Sequence, residues 1–445
     1  MSMIHNALSG AVAAQTALNT TSQNIANAAT PGYTRQGVLL TSRQALAGGI
    51  TAAGNGVQVS SLLRFADGYK SQQMWKAASE LGRYDAGQPY LNQLESVMSD
   101  DTSNINNALD GFFASLNAAS VQPDSASLRS QVLTSADTLV KRIASQQQLF
   151  TTQHNALSDQ RGAAINQVNG YTADIALLNR QIAAAQAGGL NTSGLLDARD
   201  QRIDALASLV GMQVVPQPDG TVNVSLNNGQ PLVVGRDAAV MGQSSGQLEL
   251  RFANTTFGVA SQGLGGQLGG VIDYEKQVLE PMQTTVKELA AGIATLFNNQ
   301  LAAAGGPPLF VLNGAQLELS TTITAGTLAF AATGEGAGGG GNLTKLIALK
   351  DSAIVVTQFD SQPTVLGDIY TQLVGTLGVR SQQNLAAQTT AQTVRDQSQA
   401  NWASTSGVNT DEEAISLMQY QQLYQANMKV IAAAGKLFDS TLAAF

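Results

Sequence analysis

Apolar residues recur at both ends of the chain at alternating steps of four and three residues, or multiples of these. At the start, Ile4, Leu8, Ala11, Leu18 and Ile25 fall on one helical face. At the end, Leu417, Tyr424, Met428, Ile431, Phe438, Leu442 and Phe445 do the same. This spacing predicts long heptad-patterned helices over 3–27 and from Thr410 onward, each with a stripe that must be buried. Thr410 and Glu413 read as a capping box for the second. Neither helix has a partner nearby in sequence, so the simplest partners are each other, then copies of the same chain. Small residues (Ala7, Ala11, Ala14, Ala432, Ala433, Gly435) allow close approach on more than one face, as in the wall of a tube.

The first helix stops at Thr30-Pro31-Gly32, where the residue before proline leaves the helical region and glycine permits a turn. Extended segments follow at Thr34–Leu40 and Gly56–Leu63. From about 66 to 208 the pattern is helical, and 129–187 holds few breakers, which predicts long rods. At 211 the texture changes to short β-rich runs separated by Pro218-Asp219-Gly220 and Asn227-Asn228-Gly229 turns. Helix returns at 271–304, then at 364–403. The glycine runs at 263–270 and 334–341 read as hinges.

These textures divide the chain into a terminal helical assembly domain (1–35 and 405–445), a long helical-bundle domain (36–210, 267–304 and 343–404), an inserted β domain (211–266) and an irregular, β-like Gly-rich segment (305–342). The expected fold is mainly α with an inserted small β domain. It is elongated, with long helical bundles or coiled-coil rods, and its N- and C-terminal helices pair at one end.

Composition narrows the chemistry. The chain has 445 residues, 44% of them hydrophobic, 12% charged and none cysteine, with a net charge of −8. No disulfide, thiolate nucleophile or zinc–thiolate site is possible. The acid excess gives no footprint for nucleic acid. No apolar run long enough to span a bilayer is present, so no membrane insertion is expected, and the start lacks the basic and apolar regions of a secretory signal. The two histidines, His5 and His154, have no carboxylate or serine at a diagnostic spacing and read as solvated. Asp197, Arg199 and Asp200 read as an ion-pair network at a helix start, and Asp100-Asp101 as a loop between helices. No catalytic, cofactor or metal residues are assigned.

Ser22-Gln23-Asn24-Ile25-Ala26-Asn27-Ala28-Ala29-Thr30-Pro31-Gly32-Tyr33 resembles the signature of bacterial flagellar axial proteins, the rod, hook and hook-associated group. In it Asn24, Asn27, Pro31, Gly32 and Tyr33 carry the motif. The end of the chain, Ser406 to Glu413 with Tyr420 to Asn427 and Lys429-Val430-Ile431, is similar to the matching end of that group. Phe112-Phe113, Leu178-Asn179, Leu195 to Asp200 and Asn228 to Gly235 resemble the interior of the hook-associated FlgK family of the hook–filament junction.

The resemblance implies a structural subunit, not an enzyme, in a homo-oligomeric ring. Hook protein would lie below it, with a second junction protein and the filament above. It implies type III export to an extracellular flagellar position, and terminal helices that fold only on assembly. It also implies a cytoplasmic export chaperone, FlgN, held on Leu417, Leu423, Tyr424, Met428, Val430, Ile431, Leu437 and Phe438. The alternatives are another axial subunit, hook or second junction protein, or an axial protein carrying an extracellular hydrolase insertion. The last would need a carboxylate pair or metal cluster within 211–345, where the acidic residues are scattered and without a motif.

Overall fold

The structure, a computed structural model, describes residues 2–43, 54–244, 246–314, 316–336, 338–359 and 361–443. Phe445, the last position of the C-terminal stripe, lies outside them. Helix α1 (Ser2–Ala26) leads to an antiparallel hairpin, β1 (Gln36–Ser42) and β2 (Val57–Arg64). Then come α2 (Gly68–Ser99), α3 (Ile105–Val121), the 62-residue α4 (Ala126–Ala187) and α5 (Ser193–Leu209).

Strands β3 (Met212–Pro216), β4 (Val222–Leu226), β5 (Pro231–Val234), β6 (Asp237–Ala238), β7 (Val240–Ser244), β8 (Gln247–Phe252) and β9 (Thr255–Val259) follow. Helix α6 (Gly266–Tyr274) runs through a π-turn at Glu275–Leu279 into α7 (Glu280–Ala303). Beyond it lie β10 (Phe310–Asn313), β11 (Gln316–Leu319), α8 (Gly341–Ala348), β12 (Ala353–Val355) and β13 (Pro363–Val365). The described chain closes with α9 (Leu366–Ser406) and α10 (Thr410–Leu442). The class is the one the spacing predicts, mainly helical with a small β insertion.

The chain forms two compact units. One gathers Met1–Leu81, Asn166–Leu264 and Ala391–Phe445, the other Gly82–Ile165 and Gly265–Thr390. In the first, β3-β4-β5-β6 form one antiparallel sheet and β7-β8-β9 another. On β4, Val222, Val224 and Leu226 are buried while Asn223 and Ser225 are half-buried, the period-two pattern of a strand with one face on a core. Gly229 adopts φ +87° in the turn after Asn228, a conformation that favours glycine. Asn179 of α4 anchors this sheet: its Nδ2 donates to the carbonyls of Val222 (2.8 Å) and Gly235 (2.6 Å).

The second unit has a continuous apolar core. Phe112, Phe113, Phe297 and Phe310 meet with ring centroids 5.1–6.0 Å apart. Val286, Leu289, Ile293 and Phe297, one helical stripe of α7, are fully or almost fully buried there. Tyr370 is enclosed as well. Its hydroxyl donates to Met98 O (3.1 Å) and accepts from Gln146 Nε2 (2.9 Å), and burial pushes its pKa up.

The structure refines three readings of the sequence. Within the glycine run at 263–270, Gly266, Gly269 and Gly270 form the buried start of α6. A Cβ on Gly270 would come 2.0 Å from the Arg83 carbonyl oxygen, so glycine there permits two helices to touch. In the second run the Glu335 carboxylate accepts from the Ala332 and Gly341 amides at 2.8 and 2.9 Å. His154 is exposed, as read, and its Nδ1 also lies 3.0 Å from the buried Glu275 carboxylate, which meets Arg161 at 2.7 Å. That triad joins α4 to the π-turn, a pairing invisible at short sequence range.

Gly270→Ala is expected to destabilise the protein by about 1–3 kcal/mol through overpacking. Gly111→Ala, at an α3 position where a Cβ meets nothing within 4 Å, is expected to stabilise it by roughly 0.5–1 kcal/mol. Urea denaturation midpoints of the two variants check both signs.

Candidate assembly site

Helices α1 and α10 lie side by side and antiparallel. Their register follows from two contacts. Asn24 near the end of α1 meets Glu413 at the start of α10, and Gly10 lies so close to Asn427 that an added Cβ would fall 2.5 Å from its side-chain oxygen. The face α1 turns inward is made of Ala7, Ala11, Ala14 and Ala17, continued by Thr21 and Asn24, all buried. The face of α10 carries Glu413 and Ala434, both buried, with Leu417, Tyr424 and Ile431 half-buried between them.

This alters the apolar stripe expected on α1. Ala11 is inside and Leu18 half-buried, but Ile4, Leu8 and Ile25 are exposed, Leu8 by 50%. Small residues form the contact because they bring the two backbones close, and the larger side chains are turned outward. On α10, Phe438 and Leu442 continue the inner phase, yet the register carries them past the start of α1. They remain 63% and 62% exposed. Met428 is exposed at the flank, and Leu423, Val430 and Leu437, spaced seven apart, form a second exposed line.

The base of the pair is a polar clasp built by the motif residues. Asn24 sits in the phase of the alanine face, 1% exposed. Its Nδ2 donates to Gln36 O (2.8 Å) and Glu413 Oε2 (3.0 Å). Its Oδ1 accepts from Gln36 N (3.0 Å) and the Tyr33 hydroxyl (2.8 Å). The four hydrogen-bonding positions of the amide are thus filled, which a buried polar side chain requires.

Arg35 closes the clasp from the hairpin side. It meets Glu413 at 2.7 Å and Glu412 at 2.8 Å, and its amide donates to Ser406 O at 2.8 Å. Asn27 caps its own turn, with Nδ2 donating to Gln23 O and Oδ1 accepting from Thr30 Oγ1. Pro31 O accepts from Gln201 Nε2 (2.8 Å), and Gly32, at φ +73°, leaves no room for a Cβ against that same glutamine.

Glu413 is therefore not the capping-box partner of Thr410. Asn409 caps α10, accepting from the Asp411 and Glu412 amides at 3.0 and 3.5 Å, and Glu413 is free to point into the clasp. Asp197 and Asp200 do not pair with Arg199 either. They hold Arg64, at 2.7 and 2.8 Å, and Asp197 also accepts from Thr34 N (3.2 Å). Burial alone would push the Arg64 guanidinium down, but Asp200 and Asp197 more than offset it and leave it above its ordinary value. Arg199 turns to Gly220 O (2.7 Å) and Asn179 Oδ1 (3.2 Å), its pKa lowered chiefly by burial. His5 is exposed on α1.

The sequence pattern gives Arg35, Arg64 and Glu413 no site role. A signal for Glu413 exists: it stands four residues before Leu417, in phase with the apolar face of α10, where an acidic side chain has no place unless it is paired. Among the described residues no group of three His, Cys, Asp or Glu could hold a metal ion, and no helix is long and apolar enough to cross a membrane.

The clasp should respond to substitution and to alkali. Asn24→Asp, which sets a second carboxylate against Glu413, is expected to cost on the order of 3 kcal/mol. Burial, with Asp197 and Glu413 adding, raises the Tyr33 pKa above 10.0. The stabilisation from the neutral hydroxyl is complete below the unfolded value near 10 and fades as pH rises through the folded value. Tyr33→Phe is expected to flatten that alkaline loss of stability, read from denaturation midpoints between neutral pH and pH ~11.

Comparison with known proteins aligns with this geometry. The family described as the flagellar hook-associated protein FlgK helical domain matches residues 91–306. The C-terminal family of the flagellar basal body rod proteins FlgEFG matches 399–444, and the flagella basal body rod protein family matches 4–34. These two segments hold the α1–α10 pair.

Flagellar hook-associated protein 1 of Escherichia coli is 29% identical over 75% of this chain and 64% of its own length. The Salmonella typhimurium protein of the same name is 26% identical over 99% of both chains. The Bacillus subtilis one is 26% identical over 97% of this chain and 95% of its own. The structure of the flagellar hook junction protein FlgK from Burkholderia pseudomallei superposes with a TM-score of 0.50 at 28% identity, covering 54% of this chain and 47% of that one.

Proposed function

The chain belongs to the flagellar hook-associated protein FlgK family, and we propose on that premise that it is a structural subunit of the hook–filament junction, an adaptor between hook and filament. The relatives are named for this place, and the matched terminal families are those of axial components. The observation that carries the reading is the form of the terminal pair. It is clasped at its base by buried, fully bonded polar groups, yet Ile4, Leu8 and Ile25 of α1 and Met428, Phe438 and Leu442 of α10 face outward. An uncovered apolar line at heptad spacing on an otherwise mild surface fits a helix waiting for neighbours.

In this reading copies of the chain pack α1 and α10 into a ring-shaped inner tube, with hook protein below and a second junction protein and the filament above. Ile4, Leu8 and Ile25 on α1, with Met428, Phe438 and Leu442 on α10, meet adjoining subunits. Ala11, Leu417, Tyr424 and Ile431 hold each subunit's own pair together, with Leu18 at the border.

The chain would reach this position by flagellar type III export, after a cytoplasmic chaperone of the FlgN kind holds α10. Of the chaperone contacts, Leu423, Met428, Val430, Leu437 and Phe438 are exposed in the paired state. Leu417, Tyr424 and Ile431 face α1, so a chaperone that grips all eight requires α10 to leave α1. The burial pattern therefore favours capture of α10 before the terminal pair closes.

Val430→Asp and Leu437→Asp test the reading. Both positions are exposed, so the denaturation midpoint is expected to stay within about 0.5 kcal/mol of wild type. Cells carrying either variant in place of the native chain are expected to build hooks without filaments and to shed flagellin into the medium. Normal filaments in either strain would remove the outward line from assembly and the reading with it.

A further inference from the structure

The second unit carries a groove that neither its core nor the terminal pair explains. It has a volume of about 350 Å³ and lies between α2, the α6–π-turn segment and α9. Its polar wall includes Arg83, Asp273, Asn384, Arg380, Gln383 and Gln277. The first three are spoken for. Arg83 meets Asp273 at 2.7 Å, and Asn384 Nδ2 donates to Tyr84 O and Gln88 Oε1 at 2.9 and 2.7 Å.

The other three are not. Among the described residues, Arg380 makes neither an ion pair nor a hydrogen bond, and the side chains of Gln383 and Gln277 have no partner. Arg380 is half-buried, and it also borders an adjoining hollow with Gly375, Thr376 and Val379.

An unneutralised guanidinium set partly out of water is poorly accounted for by packing alone. Its planar fork of donors is matched to a carboxylate, and a partly desolvated setting strengthens such a bond. The Gln277 and Gln383 side chains beside it are exposed and can add donors at the mouth of the groove. The groove therefore offers one spare positive charge with amide donors at its mouth, while the Arg83–Asp273 pair is internally neutral. The chain as a whole holds 31 acidic against 23 basic residues. Its own surface is thus a ready source of the complementary group, and an isolated cationic groove on an acidic protein is electrostatically matched to another copy.

We infer that the Arg380 groove receives an aspartate or glutamate side chain of a neighbouring copy of this chain, a second subunit contact separate from the terminal helices. The contact rests on the junction-subunit reading for its setting. It would fix the rotation of one subunit against the next, since a bidentate arginine–carboxylate pair constrains direction where an apolar stripe does not.

The test uses the full chain with three substitutions, Arg380→Glu, Arg380→Gln and Arg380→Lys, each checked for an unchanged denaturation midpoint. Leu437→Asp is carried alongside. A photo-crosslinking residue at Gln383 reports what occupies the groove in isolated flagella.

Expected are an at least tenfold fall in chain recovered in the assembled fraction for Arg380→Glu and Arg380→Gln, a smaller fall for Arg380→Lys, and a chain-to-chain crosslink from position 383. If Arg380→Glu and Arg380→Gln assemble like wild type, the groove contact is overturned. The same follows if position 383 captures only a different protein or nothing. The junction reading stands in those cases provided Leu437→Asp still blocks assembly. Normal assembly of Leu437→Asp overturns the junction reading instead.

Discussion

Asn24 is the residue on which the terminal architecture turns. It lies at the end of α1, within reach of the first hairpin strand and the first turn of α10, and its amide bonds to Gln36, Tyr33 and Glu413 at once. Glu413 in turn holds Arg35, and the Arg35 amide binds Ser406 just before α10. A buried amide with every position filled stabilises little by itself, but any vacancy is costly. That asymmetry locks the direction in which α1 and α10 run from the first hairpin strand. Arg64 extends the lock to α5 through Asp197 and Asp200.

From that base outward α1 contributes only small side chains, met by the half-buried Leu417, Tyr424 and Ile431 of α10. Alanine burial contributes on the order of 0.8 kcal/mol per methyl group, so the contact is close but weak per turn. On α10 only Glu413 and Ala434 are buried, and beyond Gly435 the described helix is exposed. The stabilising interactions are concentrated at the clasp and thin out towards the free ends. The same choice of small inner residues displaces Ile4 and Leu8 to the outside, where they are available to neighbours. Weak internal pairing and a strong outward face are thus two results of one sequence pattern, and they suit an element that orders fully only in an assembly.

Much of this was legible. Heptad spacing at both ends, the Thr30-Pro31-Gly32 stop, the β texture after 211 and the long helix over 129–187 all follow from periodicity and breakers. The face of α1 did not, because apolar spacing favours Leu8 over Ala7, whereas backbone approach favours Ala7. The two criteria differ only when a partner comes close enough for a Cβ at Gly10 to matter. The clasp was read only in part. Asn24 and Tyr33 stand out as motif residues, but spacing alone makes Glu413 a local cap and Asp197 and Asp200 a local network. Their partners lie far away in sequence, and short-range rules favour the nearest one. His154 and Glu275 were missed for the same reason.

Hydrogen exchange on the free full-length chain and on the same chain in isolated flagella tests this view of the ends most directly. In the free chain, amides of α1 and α10 beside the clasp, around 20–27 and 410–420, are expected to be protected, with protection falling steadily towards 3 and 442. In assembled material the protection is expected to extend along both helices. Uniform, core-like protection of both helices in the free chain would contradict it. So would an unchanged pattern on assembly, because either result would mean that the clasp does not divide a locked base from ends completed by neighbours.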